Sequence, residues 1–396
     1  MSGPVSYEAR RARLIRDLEA CPADTPIRLR KRTSNLFRTR RGDAWLIDVD
    51  GFDGVLSVDP SARTADVLGM TTYEHLVDAT LPYGLMPLVV PQLKTITIGG
   101  AVAGLGIESS SFRNGMPHES VLEMEILTGD GAAVRATPDG DHPDLYAGFP
   151  NSYGTLGYAL RLTIALEQVK PYVRLRHVRH TDATAFFNEV SRVCSSEQVD
   201  FVDGTIFGER ELVLTLGTFV DDAPATSDYT GMEIYYRSLQ RKTEDHLTAR
   251  DYLWRWDTDW FWCSKAFGVQ NPSIRRLIPR RYLRSDTYGR LLALDRRRRL
   301  SARLDRIRGR SSREAVVQDV EIPVDRAAEF LEFFHRRVGI TPVWMCPLRQ
   351  RDPHAIWPLY ALDPRRLYIN FGFWSSVALR PGEPDGTYNR LIEEKV

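Results

Sequence analysis

Four closely spaced glycines mark the segment of this chain best suited to binding an anion. Gly99, Gly100, Gly104 and Gly106 follow the β-branched run Thr95–Thr97, which predicts a strand. Glycines let a backbone turn sharply and present its N–H groups to a phosphate without obstruction by a Cβ atom. The third glycine of the nicotinamide dinucleotide fingerprint is missing, and polar residues follow. The spacing therefore favours another phosphate-bearing ligand, with a ligand-free glycine bend as the alternative.

The elements around these glycines predict an α+β fold. A helix is expected at Tyr7–Ala20 and another at Thr71–Thr80, where a threonine precedes the first turn. Ser120–Leu127 and Ala132–Ala136 flank a Gly-Asp-Gly turn, which predicts a hairpin. Pro171 marks a domain boundary. Further short strands are predicted at residues 25–29, 44–49, 54–58, 64–68, 158–166, 173–178 and 212–218.

Composition narrows the classes of function. The 396 residues are 43% hydrophobic and 27% charged, with a net charge of +1, so a surface built throughout for nucleic acid is excluded. The four cysteines lack paired spacing, and neither a metal site nor a disulfide framework is predicted. No secretory signal and no apolar run of about 20 residues is found. We expect a cytoplasmic protein, with peripheral contact at the inner face of the membrane.

The order of several motifs resembles a known superfamily. Together with the glycine segment, they are similar to the flavin domain of the vanillyl-alcohol oxidase / p-cresol methylhydroxylase superfamily, and within it to delta(24)-sterol reductases. The motifs are Lys31–Leu36, Pro91–Gly100, Gly106–Ser111, Glu123–Gly131 and Ser152–Gly157, and the similarity continues through Trp254–Pro272 and Pro342–Pro347.

This resemblance implies a two-subdomain FAD-binding domain of the p-cresol methylhydroxylase type in residues 1–170. An α+β substrate (cap) domain follows in residues 171–396. Residues 28–37 contain neither His nor Cys, so we expect non-covalent FAD. The resemblance also implies which residues bind FAD. They are Thr33, Ser34, Asn35, Thr97, Gly99, Gly100, Gly104, Gly106, Ile107, Ser109, Gly154, Thr155 and Gly157.

Two departures from the sterol reductases are visible. We expect the chain to lack their N-terminal membrane segment, and Tyr388–Val396 is expected to begin an amphipathic helix that stops where the family continues. A truncated C-terminal end is one interpretation, and the sequence leaves the completeness of that end open.

The resemblance implies FAD-dependent reduction of a C=C bond in a hydrophobic substrate, with NAD(P)H as electron donor. One alkene carbon would take a hydride and the other a proton from a general acid. Glu108, Ile107 and the flavin are expected to lie close together, so Glu108 is the first catalytic candidate. Tyr368 and Asn370 are weaker ones. The alternatives are a structural loop carboxylate for Glu108 and an ordinary strand for the other two.

Two lipid substrates are considered, a sterol side chain and a methylene-branched acyl chain on a phospholipid. The second is slightly preferred, by analogy with actinobacterial reductases, which also suggest a partner methyltransferase. The competing functions are an FAD-linked oxidase or dehydrogenase of an alcohol or sugar, and a flavin-binding scaffold for a partner enzyme. The sequence leaves the oligomeric state open.

Several other segments have both a structural and a functional interpretation. His118, Cys263 and Cys346 are expected to be structural. The aromatic block Trp254–Trp262 is either buried core or the wall of an apolar tunnel that also contacts a membrane. Arg275–Arg313 contains fifteen arginines and three acidic residues, which suits a solvated face or an anionic membrane surface. Nucleic-acid binding is disfavoured because no reading module is recognisable.

Overall fold

The computed structural model describes residues 6–31, 43–196, 198–298 and 313–396. The chain divides into two compact units. Unit 1 takes in Met1–Gly106, Met116–Val169 and Asp352–Leu362, and unit 2 takes in Ile107–Gly115, Lys170–Arg351 and Asp363–Val396. The sequence predicted a single boundary at residue 170. The chain passes from one unit to the other there, and it also does so at other points.

The elements are numbered in chain order over the described residues. The helices are α1 Tyr7–Glu19, α2 Tyr73–Thr80, α3 Ile98–Ala103, α4 Ser111–Asn114, α5 Pro143–Gly148, α6 Ala183–Ser196, α7 Tyr235–Ser238, α8 Ala249–Leu253, α9 Pro272–Arg275, α10 Ser285–Arg298, α11 Ala327–Arg337 and α12 Thr387–Glu393. The strands are β1 Ile27–Arg30, β2 Trp45–Asp48, β3 Val55–Asp59, β4 Thr64–Leu68, β5 Leu85–Pro87, β6 Val121–Leu127, β7 Ala133–Ala136, β8 Tyr158–Gln168, β9 Tyr172–His180, β10 Phe201–Gly208, β11 Glu211–Val220, β12 Glu244–Thr248, β13 Arg313–Pro323, β14 Val343–Leu348 and β15 Tyr368–Ala378. Mixed helices and sheets confirm the α+β class.

Unit 1 contains a parallel pair, β1 and β2, and an antiparallel sheet in the order β3-β4-β8-β6-β7, with β5 on the end of β8. The predicted β6–β7 hairpin is confirmed, and Asp130 accepts a hydrogen bond from Ala132 N within its turn. Helix α1 begins after Ser6, whose hydroxyl accepts from Ala9 N. It buries Leu14 and Leu18, four residues apart, as its amphipathic pattern predicts.

The predicted strand before the glycines is wrong. Thr97 makes only an isolated bridge with Thr72, and Gly99 and Gly100 belong to helix α3. Thr97 is the N-cap of that helix, and a capping hydroxyl offers the backbone a local alternative to sheet pairing.

Unit 2 is organised by a seven-stranded antiparallel sheet in the order β12-β9-β11-β10-β14-β15-β13. Successive side chains of a strand point to opposite faces. One face carries an apolar core with helices α6 and α11, in which Phe330 lies 5.0 Å from Phe371 and Phe334 lies 4.5 Å from Phe373, measured between ring centroids. On β10, Val202 and Ile206 join that core, so Asp203 and Thr205 lie on the opposite face.

The aromatic block Trp254–Trp262 is buried core. The side chains of Trp254, Trp256, Trp260 and Trp262 are all buried, and Trp256 stacks on Phe261 with ring centroids 4.8 Å apart. A membrane contact through this block is therefore wrong, because its indole rings are enclosed by protein.

The first arginine of the basic segment is also buried. Arg275 pairs with Asp259 at 2.7 Å, so it is not part of the basic surface expected for Arg275–Arg313. Residues 299–312 of that segment lie outside the described residues.

Candidate functional site

The glycine turn of unit 1 is built around helix α3. The Thr97 hydroxyl accepts a hydrogen bond from Gly100 N at 3.3 Å. A Cβ on Gly99 would lie 2.8 Å from the Gly69 carbonyl oxygen, so close packing within unit 1 requires this glycine. Gly100 is exposed, and Lys31 Nζ lies 3.9 Å from the place of its missing Cβ. An open backbone beside an ammonium group suits a pyrophosphate.

A second glycine turn joins the first. Tyr153 N donates to the Ala103 carbonyl at 3.0 Å, which ties the turn to the end of α3. Gly154 and Gly157 have φ of +89° and +127°, and a Cβ on Gly157 would come within 2.2 Å of Leu127 O. The structure therefore brings the two predicted glycine segments together, and Gly157 is required by backbone conformation and by packing.

The surface beside these turns is apolar and open. Gly104 lies under the Tyr153 ring, with 3.4 Å between its missing Cβ and a ring carbon. Tyr153 and Leu156 are both exposed. Thr155 uses its hydroxyl to bond the Ser152 carbonyl at 2.7 Å. A flat aromatic ring system could cover Tyr153 and Leu156, so the residues present fit FAD. Thr33, Ser34 and Asn35, expected in the other phosphate loop, lie outside the described residues.

Gly106 and Ile107 end the first glycine segment. A Cβ on Gly106 would meet Pro117 and Pro91 at 3.1 Å each, so this glycine is also needed for packing within unit 1. Ile107 begins the portion of chain that belongs to unit 2 and is half-buried.

Glu108 belongs to a buried charged cluster of unit 2. Its side chain is 2% exposed, and Oε1 accepts from Arg255 Nη2 at 2.9 Å and from the Ser109 hydroxyl at 2.6 Å. Arg255 also donates to Asp203 at 2.8 Å and lies 4.0 Å from the centroid of the Tyr252 ring. Glu108 is thus held by two side chains, a guanidinium and a hydroxyl. The Ser109 hydroxyl, expected at the cofactor, bonds Glu108 and Tyr252 within unit 2.

The cluster holds two carboxylates and one guanidinium. Asp203 Oδ2 accepts from Arg255 and from the indoles of Trp256 and Trp344, at 3.3 and 3.2 Å. Burial raises the pKa of Glu108, and the Asp203 charge raises it further against the opposing effect of Arg255. Glu108 Oε2 has no hydrogen-bond partner among the described residues. Glu108 is therefore the member of the cluster suited to hold a proton.

A row of polar side chains crosses the face of the sheet that carries Asp203. The β-ladder pairs His177 with Thr215 and Thr215 with Asp203. On the neighbouring strands β14, β15 and β13, it pairs Cys346 with Asn370 and Asn370 with Glu321. The row consists of His177, Thr215, Asp203, Cys346, Asn370 and Glu321.

Asn370 and two acidic residues form one end of this row. Asn370 is buried; its Nδ2 donates to Glu321 Oε1 at 2.9 Å, and its Oδ1 has no partner among the described residues. Asp319 lies two residues before Glu321 on the same face and opposite Gly372. A Cβ on Gly372 would come within 2.8 Å of Asp319 Oδ1, so this glycine leaves room for the carboxylate.

Asp319 combines accessibility with a high proton affinity. Desolvation of its carboxyl group by burial, followed by the charge of Glu321, raises its pKa to about 7 against a hydrogen bond from Trp374, while the residue keeps solvent-accessible surface. Burial likewise raises the pKa of Glu321. A carboxylic acid that titrates near neutral pH can give up a proton and recover it from solvent.

The other sequence candidates have structural contacts. The Tyr368 hydroxyl accepts from Asp363 N at 2.9 Å, which fixes the turn before β15. His118 is buried in unit 1, with Nε2 2.8 Å from the Tyr360 hydroxyl and its ring edge-on to Trp357. Burial lowers its pKa to about 3, which keeps it neutral. The structural interpretation of His118 is confirmed.

Sequence reasoning missed Asp203, Arg255, Asp319 and Glu321. For the last two a signal was present, since acidic and apolar residues alternate from Asp319 to Ile322 with the period of a strand. Asp203 and Arg255 are separated in sequence and are brought together only by the fold.

Comparison with known proteins agrees with this geometry. Residues 12–137 match the family model described as FAD binding domain. The chain thus contains an FAD binding domain in residues 12–137.

The similarity extends beyond that domain. The chain is 27% identical over 338 residues to a delta(24)-sterol reductase from Arabidopsis thaliana, covering 78% of this chain and 57% of that protein. It is 26% identical over 366 residues to the Mus musculus delta(24)-sterol reductase, covering 87% and 65%. Cytokinin dehydrogenase 9 from Oryza sativa subsp. japonica is 29% identical over 150 residues, which is 38% of this chain and 29% of that protein. The chain therefore spans less than two thirds of the length of these sterol reductases.

Among the residues that the structure describes, no helix is long and apolar enough to cross a bilayer.

Proposed function

We propose that this chain is an FAD-dependent reductase of a C=C bond in a hydrophobic substrate, with a reduced nicotinamide as electron donor. The observation that carries the proposal is the pair of carboxylic acids Glu108 and Asp319 in unit 2, whose pKa values are raised and which lie in an aromatic-rich part of that unit. The FAD binding domain and the similarity to delta(24)-sterol reductases support it.

The chemistry requires a hydride and a proton on adjacent carbons. Bound FAD would take a hydride from the nicotinamide and supply it to one alkene carbon. The chain must supply the proton to the other carbon. Asp319 is suited to this because it is accessible to solvent and its pKa of about 7 keeps much of it protonated at neutral pH. Glu108, held by Arg255, would orient the reacting group or assist as a second acid.

The substrate is proposed to be a lipid. The names of the relatives indicate a sterol, and a methylene-branched acyl chain offers the same isolated alkene in an apolar setting. NADH and NADPH are both candidate donors.

Half-reactions of the purified holoprotein test the proposal. Flavin bleached anaerobically by NADH or NADPH should regain its colour on addition of a sterol or branched acyl alkene, with formation of the saturated product. Reduction of the flavin by alcohols followed by reoxidation with oxygen would instead show an oxidase. Bound FAD that no donor reduces would indicate a scaffold.

A further inference from the structure

A short exposed segment of unit 2 carries large apolar side chains into solvent. Leu277 is 82% exposed, Tyr282 47% and Ile274 44%. Single exposed apolar residues are common on proteins, but three large ones within nine residues form a concentrated apolar surface. Residues 274–282 are called the basic tip below.

The basic tip is anchored at both ends. Arg275 is buried; its Nε donates to the Gly231 carbonyl at 2.6 Å, and its two terminal nitrogens bond Asp259 at 2.7 and 2.9 Å. Leu283 is buried directly after the tip. The buried residues at its two ends fix the basic tip to the rest of unit 2. Its apolar side chains are therefore exposed although the segment itself is held in place.

The charge of this segment is only partly neutralised. Residues 272–284 contain five arginines and no acidic residue. Three of the five are paired with a carboxylate from elsewhere in unit 2. The pairs are Arg275 with Asp259 at 2.7 Å, Arg280 with Asp228 at 2.9 Å and Arg284 with Asp286 at 2.8 Å.

The other two arginines accompany the apolar residues. Arg276 and Arg281 are exposed, and no carboxylate in the described part of the chain pairs with either. Arg276 precedes Leu277, and Arg281 lies over the Tyr282 ring with its Cζ atom 4.9 Å from the ring centroid. Each uncompensated cation thus stands beside an exposed apolar side chain.

We propose that the basic tip docks the protein on an anionic lipid bilayer, with Leu277, Ile274 and Tyr282 entering the headgroup boundary and Arg276 and Arg281 contacting anionic headgroups. Long basic side chains and tyrosine suit this boundary because they join an apolar body to a polar end. The proposal does not depend on the reductase activity.

The same observations disfavour other occupants. A nucleic acid would need the arginines but would gain little from Leu277 and Ile274. In a symmetric contact with a second copy the two patches would meet each other, placing Arg276 and Arg281 against like charges.

Co-sedimentation of the full-length holoprotein with lipid vesicles tests the proposal. Binding should require phosphatidylglycerol in phosphatidylcholine vesicles and weaken as salt is raised. Arg276→Gln with Arg281→Gln should lower the partition coefficient roughly 25-fold, at about fivefold for each arginine. Leu277→Gln with Ile274→Gln should also lower it, because apolar burial is lost.

Matched controls are available at exposed positions elsewhere. Arg210→Gln removes an exposed arginine outside the basic tip, and Ile356→Gln removes an apolar side chain that is 81% exposed. Both variants should bind vesicles like the unchanged protein. Flavin content and thermal midpoint should be the same for all variants, since the substituted side chains are exposed. Equal binding to neutral vesicles, equal loss in the controls, or no binding would overturn the proposal. So would a dimer in sedimentation velocity that the tip substitutions dissociate, because the tip would then be a contact between copies.

Discussion

At the scale of single residues, the unit 2 cluster places two carboxylates against one guanidinium in the interior. Asp203 accepts from Arg255 and two indoles, whereas one oxygen of Glu108 is left without a partner among the described residues. A buried carboxylate with incomplete hydrogen bonding favours its neutral form. The raised pKa of Glu108 follows from this difference in partners.

Substituting Glu108 tests its role directly. Glu108→Gln keeps the size of the side chain and its contact with Arg255 but removes the ionisable group. Flavin should remain bound, and reoxidation of reduced flavin by the alkene should slow by on the order of 10²-fold or more. Stopped-flow absorbance measures this rate. An unchanged rate would leave Glu108 with a structural role only.

The pKa of Asp319 makes a prediction about pH. Because that pKa is raised to about 7, the acid is protonated below neutral pH, and the rate of alkene reduction should fall as pH rises through about 7. The folded-state pKa of Asp319 lies above its ordinary value of 3.8. The contribution of this group to stability should therefore be full below the ordinary pKa and should be lost as the pH rises to about 7. Asp319→Asn should lower the rate and remove this step from the pH profile of the alkene half-reaction.

A nearby aspartate serves as the control for Asp319. Asp325 is exposed and paired with Arg366, which lowers its pKa, so Asp325→Asn should leave the pH profile unchanged. A step near pH 7 that persists in Asp319→Asn would assign the titration to another group.

At the scale of elements, Arg255 connects three segments of unit 2. It bonds Glu108 in the short stretch Ile107–Gly115, Asp203 on β10 and the Tyr252 carbonyl at the end of α8. The Ser109 carbonyl also accepts from Val202 N at 2.8 Å. The stretch that carries Glu108 is therefore held to the sheet by buried charges and by a backbone hydrogen bond.

Removing Arg255 should be costly. Arg255→Met leaves two buried carboxylates without their cation and should destabilise unit 2 by about 3–5 kcal/mol. Arg192→Met, which removes an exposed arginine paired with Glu189, should change stability by less than about 1 kcal/mol. Denaturant unfolding measures both. A similar small loss for both variants would show that the buried cluster contributes little to holding the stretch in place.

The glycine turns give a prediction for unit 1. Gly157→Ala forces a side chain onto a φ of +127° and against the Leu127 carbonyl, so it should lower the thermal midpoint and flavin content together. Gly129→Ala adds a Cβ with no atom within 4 Å and should leave both unchanged. Full flavin occupancy in Gly157→Ala would contradict the link between this turn and FAD.

Local signals and long-range contacts differ in how well the sequence predicts them. Helix α2 and the β6–β7 hairpin were predictable because a threonine cap and a turn lie within a few residues of the elements they define. The strand predicted before Gly99 was wrong, because strand propensity alone did not take account of Thr97 as a helix cap. Arg255 was missed because its partners are 52 and 147 residues away. Only the packing of α8 against the sheet explains why a charged side chain lies there.

At the scale of the whole chain, the FAD binding domain of residues 12–137 accompanies a unit with its own sheet and aromatic face. Residues 28–37 contain neither His nor Cys, so FAD should leave the chain on acid precipitation. Flavin that stays with the precipitated protein would contradict this prediction. Measured reactivity decides whether the bound flavin reduces an alkene or oxidises an alcohol.

The most direct test of the reductase is the reoxidation of reduced flavin in the absence of oxygen. Holoprotein reduced with one equivalent of NADPH, or of NADH, is mixed anaerobically with a sterol or branched acyl alkene while flavin absorbance is followed. We predict recovery of oxidised flavin together with one equivalent of saturated lipid, and a slower recovery in Asp319→Asn than in Asp325→Asn. Flavin that stays reduced with every alkene, but is reoxidised by oxygen after reduction by an alcohol, would contradict the account.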